Sequence, residues 1–199
     1  MKAFWDERYA ASEYIYGEEP NVWFAEKIKQ LSPGRLLLPC EGEGRQAVYA
    51  PALGWEVVAF DQSETGREKA LALAAKKGQT IHYSLADAME YQHAEPFDAL
   101  ALVYAHMPEK LRTAFHQRMA AQLKPGGTLI LEGFHTSQLG RSSGGPRDLS
   151  MLFTPEMLEA DFAGFHILHL GVEEVQLNEG TYHSGAATVV RMLALKADN

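Results

Sequence analysis

The sequence predicts an α/β fold: a doubly wound, mostly parallel sheet that ends in an antiparallel hairpin. Three observations predict it. Residues 35–63 (RLLLPCEGEGRQAVYAPALGWEVVAFDQS) read as strand, glycine loop, helix and strand, which is one βαβ unit. Phe97 to Tyr104 (FDALALVY) is an almost unbroken apolar run, the pattern of a parallel strand buried on both faces. Strand-like and helix-like segments alternate to the end of the chain, with no internal repeat or linker-like run. The 199 residues suit one domain over 1–199, divided into an N-terminal lid or capping segment over 1–33 and a core over 34–199.

The N-terminal piece, FWDERYA then YIYGEEPNVWF, mixes aromatics with charge; Phe4, Trp5 and Tyr9 suit a helix capping the sheet. Pro20 can occupy the first turn of a helix whose Phe24, Ile28 and Leu31 recur at helical spacing up to Pro33-Gly34. Leu36, Leu37 and Leu38 form the first strand, Gly42 and Gly44 the loop, and a helix opens near Arg45, where Pro51 should shorten or kink it. The second strand runs from Glu56 to Phe60 and closes on Asp61. Ser63 is a suitable N-cap for a helix from Glu64 to Lys77, with Leu71 and Ala74 on its apolar side and Gly78 ending it. A third strand, Thr80 to Ser84, leads to Asp87, which could cap a helix beginning at Ala88. After the strand ending at Tyr104, Pro108 starts a helix carrying Leu111, Phe115 and Met119. LKPGG then turns into TLILEGF, the fifth strand. Thr154-Pro155 starts a helix through Phe162, and Phe165–Leu177 and Gly185–Leu195 pair across residues 178–183.

Glycines at a strand-to-helix turn let a ligand approach the backbone, and an acid ending the next strand can accept both hydroxyl hydrogens of a ribose. The stretch therefore points to an adenosine-containing ligand. A dinucleotide would lay its pyrophosphate on the helix N-terminus, where Glu41 and Glu43 repel it. S-adenosylmethionine (SAM) carries a sulfonium and an ammonium instead, and the acidic loop favours it over NAD. A net charge of −8 without a basic block argues against nucleic acid or an anionic membrane as partner and for a small substrate. One cysteine, Cys40, excludes an internal disulfide. With no secretory signal or long apolar run, a soluble cytoplasmic protein is expected, working as a monomer or homodimer. The chain lacks a GxxxxGK[ST] loop, HExxH, GxSxG and a cysteine pair for zinc, and His166 and His169 point to opposite faces of a strand, so no metal is implied.

GEGRQAV, AFDQS, LKPGG and EGF together resemble class I SAM-dependent methyltransferases, and GEGRQAV followed by LGWEVVAFDQS resembles their tellurite-resistance-type (TehB-like) branch. The resemblance covers nearly the whole chain. It implies a seven-stranded, Rossmann-like sheet with one antiparallel strand. It departs from the family at Leu38 and Cys40, where an acid and a first glycine are usual, and Glu41 is expected to supply the missing carboxylate for the methionine end. The cofactor contacts it implies come from Arg8 and Tyr16 of the lid, from Glu41, Gly42, Gly44 and Arg45, from Asp61, Gln62 and Ser63, from Asp87 and Ala88 at the adenine, and from Tyr104.

For the reaction, the loop after the fourth strand should face the transferable methyl group. That gives His106 either a role toward the substrate or a structural one. Residues 132–149, rich in glycine and cations, should open beside it, so that His106, His135, Arg141 and Arg147 bind the acceptor and the two histidines are candidates for proton transfer; the alternative is a solvated surface loop. The expected activity is in-line transfer of a methyl group to a small molecule, for which the resemblance suggests a thiol or chalcogen oxyanion. Proximity alone can supply much of such a rate. A SAM-binding sensor or partner protein without turnover, and an NAD-dependent oxidoreductase, are the other classes compatible with these motifs.

Overall fold

A computed structural model describes residues 2–198; Met1 and Asn199, the ends of the expected domain, lie outside the described residues. Two short helices, α1 (Lys2–Tyr9) and α2 (Val22–Ile28), precede the first strand. There follow β1 (Arg35–Pro39), α3 (Arg45–Tyr49), β2 (Glu56–Asp61), α4 (Glu64–Lys77), β3 (His82–Leu85), β4 (Phe97–Val103), α5 (Glu109–Ala121), β5 (Leu123–Phe134), α6 (Pro155–Asp161), β6 (Phe165–Asn178) and β7 (Ser184–Lys196). The seven strands form one sheet in the order β3-β2-β1-β4-β5-β7-β6. β1 to β5 are parallel, and β7 runs antiparallel to both β5 and β6. This is the class I methyltransferase, Rossmann-like fold.

The period-2 pattern of the strands divides the core between the two faces of the sheet. Leu37, Phe60, Leu100, Leu102, Leu129 and Leu131 pack with Phe115, Met119, Phe153 and Phe162 on one face. Leu36, Leu38, Val57, Ala59, Ala99, Ala101 and Ile130 pack with Trp23, Phe24, Ala47 and Leu73 on the other. None of the helices is long and apolar enough to cross a membrane among the described residues.

Several elements differ from expectation for local reasons. Pro20 does not start α2; Asn21 does, its side chain accepting the Phe24 N–H at 3.0 Å. Pro51 ends α3 at Tyr49, and the chain continues as a 3-10 turn over Ala50–Leu53. The buried stripe of α4 is Ala70, Leu73 and Ala74, whereas Leu71 is exposed. No helix begins at Ala88: Asp87 closes a turn instead, its side chain accepting the Met89 N–H at 2.7 Å and its carbonyl the N–H groups of Glu90 and Tyr91. Ser63 does cap α4, bonding Gly66 N at 3.0 Å.

The backbone at Gly44, the N-cap of α3, has φ +86°, and a Cβ there would lie 2.5 Å from the Ala70 Cβ. α3 can therefore sit against α4 only with glycine at this position. Gly44→Ala should cost about 2 to 4 kcal/mol from the left-handed backbone and the overpacking together. The expected readout is a fall of about 5 to 15 °C in the midpoint of thermal unfolding. An unchanged midpoint would mean that α3 and α4 can separate freely.

Candidate active site at the carboxyl edge of the sheet

Strand β1 is followed by Cys40, held at φ +54°, and the chain turns through Glu41 to Gly44 into α3. The turn is fixed from the neighbouring strand: Asp61, closing β2, accepts the Gly42 N–H at 3.1 Å through one oxygen and the Ser63 N–H at 2.8 Å through the other. From β3, the Tyr83 hydroxyl donates to the Gly42 carbonyl at 2.7 Å. Burial pushes the Asp61 carboxyl up, and these backbone hydrogen bonds oppose the shift. Burial also raises the Cys40 thiol, helped by the nearby Asp61, Asp87 and Glu41 carboxylates. The edge is thus acidic across three adjacent strands. The cations beside it are engaged elsewhere, Lys69 with Glu43 and Arg45 with Glu179.

The Glu41 carboxylate is turned into the protein. It accepts the N–H groups of Gln46 at 2.9 Å and Ala47 at 2.8 Å and the Gln46 side-chain amide at 3.3 Å. It caps the N-terminus of α3, at the place of the expected anchor for a ligand ammonium. Arg45 and Ser63 are likewise occupied. Arg45 donates to Glu179 at 2.8 Å and to the Tyr16 carbonyl at 3.0 Å, and the fully buried Ser63 hydroxyl caps α4 while donating to Asp6 at 2.7 Å. Gln62, Ala88 and Tyr104 are partly exposed at the edge, and Asp87 is exposed.

The N-terminal segment folds over this edge. The Tyr9 hydroxyl stands where a Gly42 Cβ would project, which is why position 42 is glycine. Arg8 donates to the Tyr16 hydroxyl at 3.1 Å and lies over the rings of Phe4 and Tyr182. The Tyr16 N–H bonds Glu43 at 3.3 Å, while Thr181 N–H, in the β6–β7 turn, bonds the Ile15 carbonyl at 2.9 Å. The lid is therefore pinned to the glycine loop on one side and to the C-terminal hairpin on the other.

Several residues of this edge were not singled out from the sequence. Glu132 on β5 stands opposite Arg191 on β7 and accepts its Nε–H at 2.6 Å. It also accepts the Tyr104 hydroxyl and, at 2.7 Å, the Asn21 amide, which bonds Glu179 as well, at 3.0 Å. Next to Glu179 lies His183, whose ring centroid is 4.5 Å from those of both Tyr16 and Tyr104 and 5.1 Å from that of Phe134. A carboxylate inside the apolar run TLILEGF is the one sequence signal that could have found Glu132; the turn that holds Glu179 and His183 carries no such mark.

The four residues expected around the acceptor are placed as follows. His106 Nδ1 donates to the Met151 carbonyl at 2.7 Å, and its Nε2 accepts the Phe134 N–H at 3.0 Å. Burial lowers its pKa to about 4, and with both nitrogens engaged the neutral ring braces the backbone, the structural one of its two expected roles. His135 caps a 3-10 turn at Thr136–Gln138 and bonds Ser137 at 2.8 Å. Arg141 makes a two-pronged, exposed ion pair with Glu174 on β6, at 2.9 and 3.2 Å. Arg147 is exposed and makes no side-chain hydrogen bond or ion pair among the described residues. The loop itself is anchored by the buried Gln138, which bonds Ser143, the Gly144 carbonyl and Thr188 N–H.

Residues 38–127, from β1 into the turn of β5, match a family model described as a methyltransferase domain. Ribosomal RNA small subunit methyltransferase B of Thermus thermophilus is 35% identical over 71 residues, which is 35% of this chain and only 18% of that protein. Among solved structures, one from work on the conversion of a disulfide bond into a thioacetal group during echinomycin biosynthesis is 17% identical. It has a TM-score of 0.77 and covers 99% of this chain and 92% of its own. TehB from Haemophilus influenzae gives 16% identity and a TM-score of 0.71 over 98% of this chain and 66% of that chain. The N-methyltransferase NodS from Bradyrhizobium japonicum WM9, in complex with S-adenosylhomocysteine, gives 13% and 0.71 over 99% and 98%. At such identities the likeness is one of fold.

Glu41 provides a test of the loop geometry. Burial outweighs its hydrogen bonds and pushes its carboxyl from 4.5 up to about 7. The folded chain therefore binds a proton here that the unfolded chain has released, and this contribution, full below about pH 4.5, is lost as pH rises through about 7. The stability of the wild type relative to Glu41→Gln should fall by about 3 kcal/mol over that window. Urea unfolding of both proteins from pH 5 to pH 8 measures it; a constant difference would mean that Glu41 stays ionised.

Proposed function

We propose that this chain is a SAM-dependent methyltransferase acting on a small molecule. The observation that carries the reading is the acidic edge: Asp61, hydrogen-bonded to the glycine loop, with Asp87 beside it and the neighbouring cations Arg45 and Lys69 paired with Glu179 and Glu43. That donor set fits a cationic adenosine derivative and repels a pyrophosphate. The sheet also has a single nucleotide-binding half, which argues against a dinucleotide oxidoreductase.

When bound, SAM supplies a methyl group already activated on a sulfonium. In this reading the ribose hydroxyls donate to Asp61, and Asp87 takes the adenine amino group. Arg8 and Tyr16, linked to each other, close the lid over the site. In this reading the lid aromatics and the β6–β7 turn shield the methyl group from water, a cover that suits a small acceptor better than a polymer. A surface of net charge −8 also disfavours a nucleic-acid backbone, so the segment shared with the ribosomal RNA enzyme is read as cofactor-binding scaffold.

Calorimetric titration with SAM and with NAD separates the two cofactor readings: SAM should bind and NAD should not. A hydrogen bond to a charged group contributes about 1.5 to 3 kcal/mol, so Asp61→Ala should weaken SAM binding roughly ten- to a hundredfold. Undiminished affinity in a folded Asp61→Ala protein would remove the ribose assignment. Release of S-adenosylhomocysteine with any acceptor distinguishes an enzyme from a SAM-binding partner protein.

A further inference from the structure

Resting on the methyltransferase reading, we infer that His183, oriented by Glu179, is the general base of the transfer, and that the acceptor is a planar aryl hydroxyl or aryl thiol. The residues come from the turn between β6 and β7, which lies against the ends of β4 and β5 and under the lid. The carboxyl edge is where doubly wound sheets bind ligands.

The geometry is that of a base with an orienting carboxylate. His183 Nδ1 is 3.6 Å from Glu179 Oε2, is sealed from solvent, and has no hydrogen-bond partner. The contact is longer than a hydrogen bond, and closing it would take a shift of under an ångström. Glu179 is itself fixed by Arg45 at 2.8 Å and Asn21 at 3.0 Å, so it is the histidine that must move. A proton on Nδ1 facing this carboxylate leaves the Nε2 lone pair free. Nε2 makes no hydrogen bond among the described residues and is not enclosed as Nδ1 is. His106, at the same edge, offers the contrast: both its nitrogens are bonded to the backbone.

The charges agree with the role. Burial lowers the His183 pKa, Arg45 and Arg8 lower it further, and Glu179 opposes them, so the ring is neutral near pH 7 and can take a proton. For Glu179 burial acts upward, but His183 and Arg45 hold it down to about 2, which keeps it ionised. The other polar groups facing the ring are the Tyr16 and Tyr104 hydroxyls, and both are tied, to Arg8 and Glu132 respectively. The rings of Tyr16, Tyr104 and Phe134 stand around the imidazole, flat apolar surfaces that suit an aromatic acceptor.

The step balances without a further reagent. The acceptor X–H gives its proton to Nε2, and the X electron pair forms the bond to the methyl carbon. The carbon–sulfur bond breaks, its electron pair stays on sulfur, and the imidazolium later returns the proton to solvent. Such a base matters most for acceptors that are un-ionised at the working pH.

The test uses the full chain, SAM, and two series, para-substituted phenols and para-substituted thiophenols of graded acidity. SAM affinity is measured by calorimetry. In His183→Gln, kcat should fall roughly a hundredfold or more for the least acidic members. The fall should shrink toward unity for members already ionised, with SAM affinity within about twofold of the wild type. In Glu179→Gln the acidic limb of the kcat/KM profile should move to lower pH, a change that a merely structural role would not produce; if His183→Gln fails to fold, that profile decides. Equal losses along each series, or an unmoved limb, would overturn the base assignment. SAM binding without turnover of any phenol or thiophenol would overturn the acceptor class. Failure to bind SAM would instead overturn the methyltransferase reading, and this inference with it.

Discussion

Two buried carboxylates, Glu132 and Glu179, bond to the same side-chain amide, that of Asn21. Left alone, each would cost several kcal/mol of lost hydration. Arg191 neutralises the first from the adjacent strand at 2.6 Å, and Arg45 the second from the start of α3 at 2.8 Å, while Tyr104 adds a hydroxyl to Glu132. The charges therefore hold only if five separate pieces are in place together: the segment leading into α2, the start of α3, the middle of the sheet, β7 and the hairpin turn. Removing one partner of such a buried set costs about 3 to 5 kcal/mol, because it strands the other. The edge of the sheet where ligands bind is thereby locked to the C-terminal hairpin.

Backbone strain at the same edge is arranged to match. Cys40 and Tyr104 follow neighbouring parallel strands, and both have φ +54°, a conformation that costs a non-glycine residue about 1 to 2 kcal/mol. At Tyr104 the strain lets the residue bind Glu132 twice, N–H to backbone carbonyl at 2.8 Å and hydroxyl to carboxylate, which aims its ring at His183. The lid is attached to the same framework. A Cβ at Gly180 would overlap the Ile15 carbonyl, so the hairpin turn and the Tyr16-Gly17 turn touch backbone to backbone. These contacts tie the N-terminal segment to the turn that carries His183.

The sequence was most legible where a pattern is local. The alternation of apolar residues, the Ser63 cap, the Gly78 stop and the strand ending on Asp61 all depend on neighbours within a few positions, and they lie where periodicity and capping rules put them. Pro51 shortened α3 as its chemistry requires. Side-chain direction was not legible. Glu41 and Arg45 sit in the right loop, yet the first turns toward α3 and the second toward Glu179, 134 residues away in sequence. His106 and Arg141 were chosen for residue type and loop position, and partners supplied by distant segments, Met151 and Glu174, decide what each does.

The residues 178–183 read as a connector because turns between strands usually are one. Topology makes them something else. A strand parallel to β5 that followed α6 would begin at the amino edge of the sheet and end at the carboxyl edge, and β6 does so, finishing at Asn178. β7 then inserts between β5 and β6 and must start where β6 stopped. The turn between them is thus forced to the carboxyl edge, beside the ends of β4 and β5, whatever its sequence. This connection carries both a charged pair and an unsatisfied histidine nitrogen to that edge. The antiparallel strand gives the chain a second set of side chains at its ligand edge, and an account of such a site from sequence has to start from strand order as well as from motifs.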